Sequence, residues 1–93
     1  MNQREVGAMQ KEYIGRMVKN LPTLRMTAGF TQAQLGKKVG MSRQSIVAIE
    51  NEKRPLPWSL YLAMVLVFMQ NENSKKLMES FELYDEAFLQ KIL

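Results

Sequence analysis

Residues 31–54 read TQAQLGKKVGMSRQSIVAIENEKR, and their punctuation decides the local fold. Thr31 is followed three residues later by Gln34, the spacing at which a hydroxyl and an amide cap each other's backbone N–H groups, so a short helix is predicted over 32–39. Gly40 can adopt the left-handed conformation that stops it. Ser42 can cap a second helix, from Arg43 to about Asn51. Two helices of under ten residues then face each other across Gly40-Met41-Ser42. At 100° per residue, with Arg43 at zero, Ile46, Ile49 and Lys53 fall between roughly 240° and 300°. Arg43, Val47, Asn51, Gln44 and Ala48 fall between roughly 0° and 140°. One face anchors the helix and the other is polar and small. Leu35, Val39, Ile46 and Ile49 are therefore assigned to the core.

The flanking sequence extends an all-α reading, since no alternating strand-like run is bounded by turn residues. Upstream, Val6, Met9, Tyr13 and Met17 recur every three or four residues, which predicts an amphipathic helix from Arg4 to Lys19. Asn20 offers a cap and Pro22 suits a first helical turn, so a new helix or a kink is expected there, running through Ala28 and ended by Gly29. Downstream, Pro55 and Pro57 close the unit, and Pro57 opens an apolar helix to Met69. Asn71 to Ser74 reads as a polar break. From Lys75 onward Leu77, Phe81, Tyr84, Phe88 and Ile92 form a stripe on one helix or two, with any break near Glu82 to Asp85. The expected organisation is a single domain: an N-terminal helix over 1–19, a core over 20–70 and a helical packing or dimerisation segment over 71–93.

Charge divides the chain. Residues 1–54 hold ten Lys/Arg against four Glu, a net of +6, whereas 55–93 hold three Lys against five acids, a net of −2. A polyanion partner belongs to the first half. The sequence contains no His and no Cys, so imidazole bases, thiolate nucleophiles, disulfides and soft metal ligands are all missing, and neither an enzyme nor a cofactor protein is expected. The eight Met residues read as core filler. The N-terminus lacks an apolar segment of the kind a signal peptide carries, and the run Leu60–Met69 is about half of what a bilayer-spanning helix needs. A cytoplasmic protein with no membrane role is expected.

Two short capped helices around a glycine turn form a helix-turn-helix candidate. A helix presenting Arg, Gln and small residues suits a DNA major groove: Arg pairs with guanine O6/N7, Gln with adenine N6/N7, and small apolar groups meet the thymine methyl. Cations at Lys37, Lys38, Lys53 and Arg54 suit phosphates.

The elements Leu24-Arg25, Phe30-Thr31-Gln32-Ala33-Gln34-Leu35, Gly40-Met41-Ser42-Arg43-Gln44-Ser45-Ile46 and Ile49-Glu50-Asn51-Glu52-Lys53-Arg54 occur together in register. Over roughly residues 17–69 the chain resembles the helix-turn-helix domain of the phage repressor/Cro (XRE) family of transcriptional regulators. The resemblance implies a compact bundle of about five helices, here with an extra N-terminal helix and a C-terminal tail. It also implies a homodimer on a two-fold symmetric double-stranded DNA operator, with repression the expected outcome. By position, Arg43, Gln44, Val47 and Ala48 align with base-facing residues. Gln32, Ser42, Asn51, Lys53 and Arg54 align with backbone-contacting ones, Gln32 also bracing the recognition helix. Arg25 and Glu50 align with an internal ion pair.

Three departures stand out. Gly36 occupies a position where the family usually has alanine, allowing close helix approach at about 1 kcal/mol of helix propensity. Glu52 replaces the usual glycine after Asn51, so Asn51 is expected to take the left-handed turn, and an acid is placed near phosphates. Pro22 interrupts what is often a continuous first helix. An apolar helix such as Leu60–Met69 must be covered on more than one side. Leu60, Met64, Phe68, Leu77, Phe81, Tyr84 and Phe88 are expected to pack the tail, build a dimer interface, or both. The rival reading is a protein-interaction adaptor or antitoxin-like protein whose apolar C-terminal half grips a partner.

Overall fold

The computed structural model describes residues 2–84, 87 and 90. Among them are five helices and no strand: α1 (Gln3–Thr27), α2 (Gln32–Val39), α3 (Arg43–Glu50), α4 (Trp58–Met69) and α5 (Glu72–Ser80). Asn2 starts α1 with a reciprocal cap, accepting from the Glu5 amide at 2.9 Å while Glu5 accepts from the Asn2 amide at 3.2 Å.

Of the new helix or kink expected at Asn20–Pro22, the new helix does not form: α1 is continuous through Pro22. An interior proline costs roughly 3 kcal/mol through its missing N–H and its ring. On either side of it Leu21 and Leu24 are fully buried with Met17, and each such side chain contributes about 1.5–3 kcal/mol. Tertiary burial outweighs the local penalty. The predicted N-terminal helix and the first helix of the motif are thus one rod, which ends where Gly29 turns left-handed (φ +82).

The core gathers side chains from all five helices. Leu35, Ile46, Ile49, Met64 and Phe68 are fully buried, and Leu56 is wedged between Pro55 and Pro57. Trp58 stacks on Tyr61 with ring centroids 4.8 Å apart, anchoring the start of α4. No helix among the described residues is long and apolar enough to cross a membrane.

The apolar α4 is covered by α1, α2 and α5. Leu60, Met64 and Phe68 are buried inside the single chain. Leu66, 63% exposed, is the large side chain of α4 left outside. The tail segment begins earlier than the stripe suggested. The expected polar break at Asn71–Ser74 is a helix start: Asn71 caps α5 at the Ser74 amide, 3.0 Å, and the buried Ser74 hydroxyl donates to the Phe68 carbonyl at 2.6 Å. The buried face of the tail is also offset. Met78 and Leu83 are fully buried, while Leu77, Phe81 and Tyr84 pack only partly against the core. Two links hold the turn after α5, where Glu82 is left-handed (φ +58): the Tyr61 hydroxyl donates to the Leu83 carbonyl at 2.8 Å, and Arg16 Nη1 to the Glu82 carbonyl at 3.0 Å. Asp85, Phe88 and Ile92 lie outside the described residues.

Candidate nucleic-acid interface

The caps read from residues 31–54 form as expected. Thr31 Oγ1 accepts from the Gln34 amide at 3.1 Å, and Gln34 Oε1 accepts from the Thr31 amide at 2.9 Å. Gly40 is left-handed (φ +76), and the Met41 amide returns to the Gly36 carbonyl at 2.7 Å. That turn is so tight that a Cβ on Gly36 would lie 2.5 Å from the Met41 carbonyl oxygen. The departure at Gly36 is therefore a steric requirement of this turn.

Ser42 caps α3 through the Ser45 amide at 3.1 Å. The Ser42 hydroxyl also donates to Ser45 Oγ at 3.0 Å, and Arg54 Nη1 donates to the same oxygen at 2.6 Å. Ser45 thereby ties the loop after α3 back to the first turn of that helix. The sequence reading gave Ser45 no role. Its position three residues after a capping serine was the available clue, but the approach of Arg54 is a long-range contact.

The far end of α3 is fixed from two sides. Arg25 donates to Glu50 through Nε at 2.8 Å and Nη2 at 3.2 Å, and through Nη1 to the Phe30 carbonyl at 3.0 Å. The two side chains are only 13% and 5% exposed. Gln32 Nε2 donates to Glu50 Oε1 at 3.1 Å. The expected ion pair is present, and Gln32 does brace α3.

The left-handed residue after α3 is Glu52 (φ +58). Asn51 sits at φ −89, so the expectation that it would take the left-handed turn is corrected. The reason is the hydrogen-bond geometry: Glu52 N donates to Ile49 O at 3.1 Å and Lys53 N to Ala48 O at 2.8 Å, a Schellman closure. That closure places its left-handed residue after the cap whatever amino acid is there.

With Ile46 and Ile49 fully buried, the opposite face of α3 is set outward. Arg43 and Gln44 are exposed at its start, and Val47 and Ala48 are half-buried further along. Ser42, Asn51, Lys53 and Arg54 are exposed around its two ends. Lys37 and Lys38 are exposed on α2, with the Lys38 ammonium 5.9 Å from the Phe30 ring centroid. The result is a rigid, cation-rimmed helix with an outward guanidinium and an outward amide. Chemically it can donate to base edges and to phosphate oxygens. No group of three or more His, Cys, Asp or Glu among the described residues could hold a metal ion.

A family model described as a helix-turn-helix domain matches residues 18–68. No match is found among curated proteins or among solved structures.

Proposed function

The chain belongs to the helix-turn-helix domain family of repressor/Cro-like (XRE) regulators, and from that membership we propose that it is a homodimeric, sequence-specific transcriptional regulator that represses by occupying a two-fold symmetric operator. The observation that carries the reading is the outward face of α3, with Arg43 and Gln44 exposed on a helix held by the buried Arg25–Glu50 pair. Arg43, Gln44, Val47 and Ala48 read base edges in the major groove. Ser42, Asn51 and Lys53 contact phosphates. Arg54 does so only in part, since one of its donors is committed to Ser45.

No chemistry on DNA is required of such a protein. Its affinity comes from phosphate neutralisation and its discrimination from a few base contacts. Two copies read two half-sites one duplex turn, about 34 Å, apart. The adaptor reading depends on a broad apolar surface in the C-terminal half. Among the described residues Leu60, Met64 and Phe68 are buried within one chain, and Leu66 is the large apolar side chain of α4 left exposed. These three buried residues therefore serve neither a partner-gripping surface nor a dimer interface, and the regulator reading rests on the α3 face.

In vitro selection of bound duplexes followed by sequencing tests the proposal, with light scattering on the free protein. The expected result is a palindromic consensus with half-sites one turn apart and a dimeric mass. Enrichment of no sequence at low salt refutes it.

A further inference from the structure

A cleft of about 570 Å³ opens between α1 and the loop that follows α3. Ile14, Val18, Pro55 and Leu56 give it an apolar floor, and Lys11, Lys53 and Arg54 stand with Glu52 along its rim. Three cations against one carboxylate leave the rim positive. The cleft is shallow and open to solvent rather than an enclosed cavity. Its volume lies within the range of roughly 300–1,000 Å³ seen for small-molecule sites, and its apolar bed with a few charges has their usual composition.

A second observation concerns Gly15, which lines the cleft from the middle of α1. Glycine inside a helix costs about 1 kcal/mol relative to alanine. At Gly36 a steric clash explains the choice, but a Cβ on Gly15 would meet nothing within 4 Å. Gly7 in the same helix meets nothing either, so what Gly15 contributes is its place on the cleft wall, where a long side chain would project into the space.

We propose that this cleft binds a small amphipathic carboxylate, its apolar body on Ile14, Val18 and Leu56 and its anionic head between Lys11 and Lys53. The cation pair selects the charge, and the floor selects an acyl or aromatic body over a hydrophilic anion. Because Lys53 is also assigned to a DNA phosphate, ligand and duplex compete for it. The two then weaken each other by the same factor, as linkage requires. That coupling rests on the regulator reading, whereas occupancy of the cleft does not.

The test uses octanoate as probe and 1-octanol as its uncharged match, titrated into the isotope-labelled full chain and followed by amide chemical shifts. Octanoate should move the amides of Gly15, Val18, Lys53 and Leu56, and octanol should bind at least ten-fold more weakly. Gly15→Leu fills the cleft at an exposed helical position that favours leucine, and Lys11→Ala removes a rim charge. Both should weaken octanoate at least five-fold while leaving duplex affinity within two-fold. Millimolar octanoate should also lower the anisotropy of a labelled duplex mixed with the protein, and octanol should not. Absence of shifts at millimolar octanoate, shifts centred elsewhere, equal binding of octanol, or octanoate binding unaltered by both variants overturns the proposal. If no duplex binds at all, the regulator reading falls and the shift titration still decides the cleft.

Discussion

Replacing Arg25 with leucine removes one partner of a buried pair and leaves the other stranded. Glu50 is 5% exposed and takes two of the three hydrogen bonds that Arg25 donates. After the substitution its remaining side-chain partner is Gln32, through one neutral amide hydrogen bond. The Phe30 carbonyl loses its guanidinium donor as well. Breaking a buried pair from one side costs about 3–5 kcal/mol, most of it the desolvation of the charge left behind. At roughly 4–8 °C per kcal/mol for a domain this size, Tm should fall by at least about 12 °C. Arg25→Leu with Glu50→Leu removes both charges and should recover to within about 1.5 kcal/mol of the parent. Urea melts of the parent, both single variants and the double variant close the cycle. A loss under about 1 kcal/mol in Arg25→Leu, or a double variant no more stable than the singles, would refute the claim that this pair fixes α3 against α1.

Glu52→Gly removes a left-handed non-glycine residue and an acid beside Lys53. Thermal melts should show a gain of roughly 1 kcal/mol, and gel-shift titration should show tighter binding to every duplex. Gly36→Ala gains helix propensity but drives a Cβ to 2.5 Å from the Met41 carbonyl oxygen; calorimetry should show a net loss of roughly 1–3 kcal/mol. Tyr61→Phe removes the hydroxyl that holds the Leu83 carbonyl. It should cost about 1 kcal/mol and speed hydrogen exchange in α5 before other elements.

Elements defined by short-range chemistry were legible in the sequence. The spans of α2 and α3 follow from Thr31, Gln34, Gly40 and Ser42, whose partners lie within four residues. The cap at Asn71 is equally local, but the polar run around it reads as a loop until Ser74 is seen to bury its hydroxyl against Phe68. Pro22 misleads for a different reason. Its local rule is sound, yet the outcome depends on what Leu21 and Leu24 bury against. The tail face was offset because a stripe of every third or fourth residue fits Leu77 and Phe81, while contact with α1 and α4 selects Met78 and Leu83. On α3, the exposure of Arg43 and Gln44 was legible because Ile46 and Ile49 fix the rotation of the helix. The bridge from Arg54 to Ser45 required the fold, since nine residues of sequence separate them.

The central claim is that Arg43 specifies sequence while Lys53 supplies sequence-independent affinity. It is tested most directly by measuring the affinity of the parent, Arg43→Ala and Lys53→Ala for the selected duplex, its single-base variants and a random duplex at several salt concentrations. Arg43→Ala should lose about 1–3 kcal/mol on the selected duplex and relax preference at one base pair per half-site. Lys53→Ala should weaken all duplexes alike and reduce the salt slope by about 1 per subunit. Uniform weakening by Arg43→Ala with every base preference intact would contradict the account.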